Sequence, residues 1–97
     1  MFTRIVKMTF KQEHLTEFVQ QFDAIKEKIR NQQGCHSVVL FQDKVDERVF
    51  FTYSIWSDES DLVRYRNSDF FKEVWQHTKQ FFAAKPEAWS LNEIIKI

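Results

Sequence analysis

One glycine, one proline and one cysteine in 97 residues leave this chain short of special-purpose residues. With Gly34 alone it has no GxGxxG turn, no phosphate-cradling loop and no GxSxG elbow, because each needs several glycines at fixed spacing. A nucleotide held in one of those ways is excluded. The lone Cys35 cannot close an internal disulfide. Three separated histidines show no HxxxH, HExxH or CxxC spacing, so no metal site is expected. A surplus of one charge is missing as well: 14 Lys and Arg face 14 Asp and Glu. No global field therefore draws the chain to nucleic acid or to an anionic membrane. No apolar run approaches the roughly 20 residues of a membrane span, and no signal-peptide pattern opens the chain. A cytoplasmic protein without nucleic-acid or membrane partners is expected.

What the chain does have is aromatic carbon. Eleven Phe, three Trp and two Tyr supply apolar area for a core, a cavity lining or an interface. The length suits one domain over residues 1–97, near the small end of what a single core stabilises.

Local patterns give the order of elements. From Met1 to Phe10 the chain alternates, with Phe2, Val6, Met8 and Phe10 on one face of a strand. Leu15, Phe18, Phe22, Ile25 and Ile29 repeat at steps of three and four, which marks an amphipathic helix ending near Gly34. Cys35 to Phe41 reads as a second strand, joined by the polar Asp43–Glu47 turn to a third from Val49 to Trp56. Ser57 is placed to cap a short helix over about Asp58 to Arg66. A longer helix is expected from Asn67 or Ser68 to about Ala84, stopped by Pro86, and a last strand from Trp89 to Ile95. The order β-α-β-β-α-α-β gives an α+β, ferredoxin-like fold, an antiparallel sheet with helices on one face.

The third strand has two unlike faces. Phe50, Thr52, Ser54 and Trp56 point one way, with small hydroxyl residues between two aromatics; Val49, Phe51, Tyr53 and Ile55 point the other. If helices cover the first face, a pocket is expected under them. The bulky second face then has no cover within the chain and is expected to pack against a second copy, as a homodimer through sheet faces.

Candidate chemistry follows from that pocket. Phe70, Val74, His77 and Phe81 recur at helical spacing, so His77 is expected within an apolar stripe facing the sheet, as a general base or as a hydrogen-bonded core residue. Trp56 is expected at the pocket mouth, either stacking on a planar ligand with its indole N–H as an orienting donor or packing in the core. Tyr65 and Thr52 are candidate hydrogen-bonding groups, and Phe50, Val74 and Phe81 candidate apolar walls. Phe71 and Trp75 read as lid or core residues.

The segments RIVKMTF, Gln33–Cys35, FFTYSIWSDESDL and SDFFKEVW, with the final strand, resemble the antibiotic biosynthesis monooxygenase family. The resemblance implies a ferredoxin-like protomer, a dimeric α/β barrel and a pocket between sheet and helices. Family members include cofactor-independent oxygenases of polycyclic aromatic phenols, quinol oxygenases, haem-degrading enzymes and a signal-molecule isomerase. The first group needs no cofactor, because an ionised electron-rich substrate itself reduces oxygen. The haem-degrading members carry asparagine, tryptophan and histidine where Val6, Tyr65 and Trp75 stand here, which disfavours that activity. The polyketide-type oxygenases share Trp56 but have asparagine and tyrosine at the positions of Thr52 and Leu62. The resemblance thus implies a monooxygenase acting without cofactor on an aromatic or quinol-like molecule, with Trp56 stacking, His77 handling the proton and Tyr65 or Thr52 orienting an oxygen. Two alternatives use the same pocket: a non-catalytic small-molecule-binding dimer, and an isomerase of a small carbonyl compound with His77 or His36 as base.

Overall fold

Backbone hydrogen bonds decide where each element begins and ends in the computed structural model, which describes all of residues 1–97. Strand β1 (Phe2–Thr9) is followed by a 3-10 turn at Gln12–His14 and helix α1 (Leu15–Arg30). Strands β2 (Cys35–Gln42) and β3 (Val49–Trp56), helices α2 (Glu59–Arg66) and α3 (Asp69–Lys79), and strand β4 (Glu87–Leu91) complete the chain. The sheet is antiparallel in the order β2-β3-β1-β4 and does not close on itself. This is the expected α+β, ferredoxin-like arrangement. No helix is long and apolar enough to cross a membrane.

Gly34 is where the chain leaves α1 for β2. Its φ of +84° lies in the left-handed region that side chains avoid, and a Cβ there would collide with the Asp61 carboxylate of α2. The tight approach is used: Ser57 N–H donates to the Gly34 carbonyl at 2.8 Å, tying the end of β3 to this turn. Ser57 does not cap α2. Asp58 does, in an extended conformation (φ −147°), its carboxylate accepting from Ser60 N–H at 3.1 Å, while the Ser57 hydroxyl meets His36. The first turn of α2 also carries Glu59 and Asp61, which suit the positive end of the helix. Ser68 caps α3 by accepting from Phe71 N–H at 3.1 Å.

Three expected boundaries are corrected. Helix α3 stops at Lys79 rather than near Ala84, before Pro86 has any influence. The backbone beyond it bonds to the end of β1 instead: Lys11 N–H donates to Phe81 O at 2.8 Å and Ala83 N–H to Thr9 O at 2.9 Å. Strand β4 runs from Glu87 to Leu91, not from Trp89 to Ile95. Leu91 pairs with Thr3, next to the first residue of β1, so no strand remains to receive further hydrogen bonds. Ile94, Ile95 and Ile97 are correspondingly exposed.

Alternation along β3 places the core. Phe50, Ser54 and Trp56 are buried on the helix side, while Val49, Phe51, Tyr53 and Ile55 are half-buried on the other. Met8, Phe10, Phe18, Phe50 and Phe81 form one buried cluster, and Cys35, Trp56 and Leu62 a smaller one. The cavity lies along the same sheet face as these two clusters.

The outer face of the sheet is apolar across its width. Phe41 is opposite Phe51, Val39 is opposite Tyr53, Tyr53 is opposite Ile5, and Ile5 is opposite Trp89. The Phe41 and Tyr53 rings meet edge to face at 6.3 Å. Val39, Phe41, Trp89 and Leu91 are all exposed.

Candidate functional site

Between the inner sheet face and the three helices lies a cavity of about 320 Å³, lined mainly by apolar side chains. That volume is at the lower end of small-molecule pockets. Strands β1 and β3 supply its floor through Arg4, Val6, Met8, Thr52, Ser54 and Trp56. One side is walled by α1 through Phe22, Ile25 and Ile29, and the roof comes from Tyr65 and Arg66 of α2 with Phe71, Val74, Trp75 and Thr78 of α3.

Four of the residues expected at the site line this cavity: Trp56, Tyr65, Thr52 and Val74. Trp56 is almost wholly buried, with its ring stacked on Tyr65 at 5.3 Å and 26°. Its indole N–H is already committed, donating to Ser54 Oγ at 2.9 Å, so it is not the free orienting donor expected from the sequence. Burial pushes the Tyr65 phenol well above the ordinary tyrosine range, with the neighbouring Cys35 adding to the effect. Tyr65 is therefore a neutral hydrogen-bond donor at any physiological pH. Burial likewise raises the Cys35 thiol, which sits beneath Trp56 and Leu62 as a packed apolar group.

The expectation for His77 is corrected. It is exposed, on the outer side of α3, with its ring edge-on to Phe81 at 5.3 Å and Gln80 beside its Nδ1 at 3.4 Å. The inward stripe of α3 is Phe71, Val74, Trp75 and Thr78, at steps of three, one and three. Phe71 and Trp75 stack on one another at 5.8 Å and 12°, forming an aromatic roof. Phe50 and Phe81 are buried, but in the cluster around Phe10 rather than on the cavity wall. His36 is exposed and bonded to Ser57, and His14 packs against Phe81 and bonds Glu17 at 2.8 Å. No imidazole lines the cavity. No group of three His, Cys, Asp or Glu side chains is arranged to hold a metal ion.

Five polar lining residues escaped the sequence reading: Arg4, Gln21, Arg66, Thr78 and Glu87. Gln21 lies on the same helix as Phe18 and Phe22, and its role appears only in its contacts. Its Nε2 donates to Thr78 Oγ1 at 2.8 Å, and that hydroxyl donates in turn to the Val74 carbonyl at 2.8 Å. With its only proton given to Val74, Thr78 can only accept from Gln21, which fixes the amide orientation. Gln21 Oε1 is left as the one buried side-chain polar atom without a hydrogen-bond partner. A buried acceptor in that condition costs about 1–3 kcal/mol unless a donor reaches it. For Arg4 a signal was present, since alternation puts it on the inward face of β1 between Phe2 and Val6.

The profile of the antibiotic biosynthesis monooxygenase family matches residues 1–83. Among solved structures, the chain is similar to that of an antibiotic biosynthesis monooxygenase, with a TM-score of 0.90, 18% identity and coverage of 98% of this chain and 100% of the other. It is also similar to a conserved protein from Methanosarcina mazei Go1, with a TM-score of 0.88, 22% identity and coverage of 96% and 93%. A protein from Pseudomonas aeruginosa gives a TM-score of 0.85 at 21% identity, with coverage of 97% and 94%. At these identities the likeness is one of fold. No curated protein matches the chain.

Proposed function

The chain belongs to the antibiotic biosynthesis monooxygenase family, and from that membership we propose that it oxygenates an aromatic or quinol-like small molecule without a cofactor. The observation carrying this reading is the cavity itself, apolar and walled by Trp56, Tyr65, Phe71 and Trp75. Flat aromatic walls suit a planar ring, and a largely apolar lining strengthens the few polar contacts made against it. In such a reaction the substrate loses a proton and passes electrons to O2. One oxygen atom becomes bonded to carbon, the O–O bond breaks, and the other leaves as water. The protein's part is burial, orientation and proton handling.

The chain's own groups divide this work. Tyr65, held protonated, donates a hydrogen bond to a substrate oxygen, and Thr52 on the floor does the same. With His77 on the outer side and Glu87 turned with Lys7 to the outer sheet face, the proton passes to water at the cavity opening. Oxygen uptake with anthrone and substituted hydroquinones tests this. Protein-dependent uptake is expected, with one atom of ¹⁸O2 in the product and no product without oxygen. A panel that consumes no more oxygen than the buffer control removes the proposal.

A second reading is a binding protein without turnover, favoured by the absence of an imidazole from the lining. It predicts quenching of tryptophan fluorescence by the same compounds with no oxygen consumed. Either role is served by a homodimer, which we propose forms through the outer sheet face around Phe41, Phe51, Tyr53 and Trp89. An apolar band of this breadth is costly to leave in water. Sedimentation at micromolar concentration is expected to give twice the protomer mass, and a single copy there would overturn it.

A further inference from the structure

Two lining residues are not used by that mechanism. Arg4 lies on the floor in β1, and Arg66 is the last residue of α2; both border the cavity. Neither has an acidic partner. The chain's five ion pairs engage Lys7, His14, Lys26, Arg48 and Arg64. Arg4 makes one side-chain hydrogen bond, from Nη1 to Ser90 Oγ at 3.0 Å, and the rest of its five-donor fork is uncommitted. Glu87, the acidic lining residue, lies 3.9 Å from Lys7 rather than against either guanidinium. A chain with no net charge thus places two unpaired cations at one cavity.

Their mutual influence has a direction. Partial burial and then the charge of Arg66 pull the Arg4 guanidinium below its usual range. Burial penalises a charge of either sign, but the charge of Arg66 that disfavours a second cation favours an anion paired with both guanidinium groups. Guanidinium groups also match a carboxylate in shape, donating two parallel hydrogen bonds. Tyr65 and the stacked Phe71 and Trp75 border the same cavity and offer ring surface to the body of such a ligand.

We propose that Arg4 and Arg66 form an anion subsite, so that the ligand of this cavity is an aromatic molecule bearing an ionised oxygen group, such as a carboxylate. This rests on the cavity being the ligand site. It makes the protein selective for acids over neutral molecules of the same shape, and it places the charged end of the ligand beside β1 and α2. An oxyanion generated during turnover benefits from the same pair.

The test uses N-phenyl-1-naphthylamine, a neutral fluorescent probe, displaced from the full-length protein by 2-naphthoate or 2-naphthamide near neutral pH. The two competitors share rings and shape and differ in charge. Naphthoate is expected to compete at least about tenfold better, the low end for a charge-assisted hydrogen bond. The ratio is expected to narrow as salt is raised, because part of it is screened attraction. Arg66→Gln, at an exposed helix end, is expected to bring the ratio toward one while leaving probe affinity within about twofold. Arg4→Gln is expected to do the same, and Arg4→Lys to restore part of the preference. Equal competition in the wild type, or a preference that survives both glutamine substitutions, overturns the subsite while leaving the cavity reading intact. Failure of the probe to bind at all removes the cavity reading and the subsite together.

Discussion

Phe10→Ala is expected to lower stability by about 3–5 kcal/mol, the range for deleting a buried ring. Phe10 has no exposed surface. Its ring centroid lies 4.1 Å from that of Phe18, 5.3 Å from Phe82 and 5.7 Å from Phe50, so it joins α1, β3 and the segment after α3. Its backbone is engaged too, with N–H donating to Arg48 O at 2.9 Å and the residue bridged to Phe82. Those bonds survive the substitution, so the loss measures the ring. A domain of this size holds about 5–15 kcal/mol in total, and the variant therefore forfeits a large share of it. Chemical denaturation of wild type and variant checks the value. Val45→Ala, at a hairpin position 95% exposed, is the control and is expected to stay within about 0.5 kcal/mol. A Phe10→Ala loss no larger than that of the control would show that the aromatic cluster does not anchor the fold.

Much of the architecture was legible because the relevant patterns were long and unopposed. Leu15, Phe18, Phe22, Ile25 and Ile29 admit one helical phase, and α1 follows it. Alternation separated the two unlike faces of β3 but left open which one the helices cover, and burial puts them on the side of Phe50, Ser54 and Trp56, the condition under which the pocket was expected. Errors arose where one backbone segment had a partner that only the fold supplies. Phe81 and Phe82 look like a continuing helix, but the end of β1 offers hydrogen bonds that the helix does not. Ile94 and Ile95 look like a strand, but β1 has run out by Leu91.

The helix error and the His77 error are linked. Two stripes fit α3, one through Phe70, Val74, His77 and Phe81, the other through Phe71, Val74, Trp75 and Thr78. Counting Phe81 as helical favours the first. Once α3 ends at Lys79 that support disappears, and the stacking of Phe71 on Trp75 with the Gln21–Thr78 hydrogen bond holds the second stripe inward. A threonine on the buried face was invisible to a hydrophobic count, because its cost is offset by bonds to Val74 O and Gln21.

The two sides of that helix give the sharpest functional contrast. Val74→Trp is expected to cut affinity for an aromatic ligand by at least about 100-fold, roughly 2.7 kcal/mol, and to bring any oxygen uptake to background. Val74 is on the cavity roof, and an indole there occupies the space a ligand ring would take. Overpacking a filled core costs about 1–3 kcal/mol, whereas filling an existing void costs less, so the variant is expected to melt close to wild type. His77→Trp makes the same change three residues further along the helix, on its exposed side. It is expected to leave affinity and uptake within about twofold, and His77→Ala likewise, since no ligand in the cavity touches that ring. Fluorescence titration and an oxygen electrode read both variants. If His77→Ala abolishes uptake while Val74→Trp spares it, the reacting site lies on the outer side of α3, and the cavity between sheet and helices is structural space.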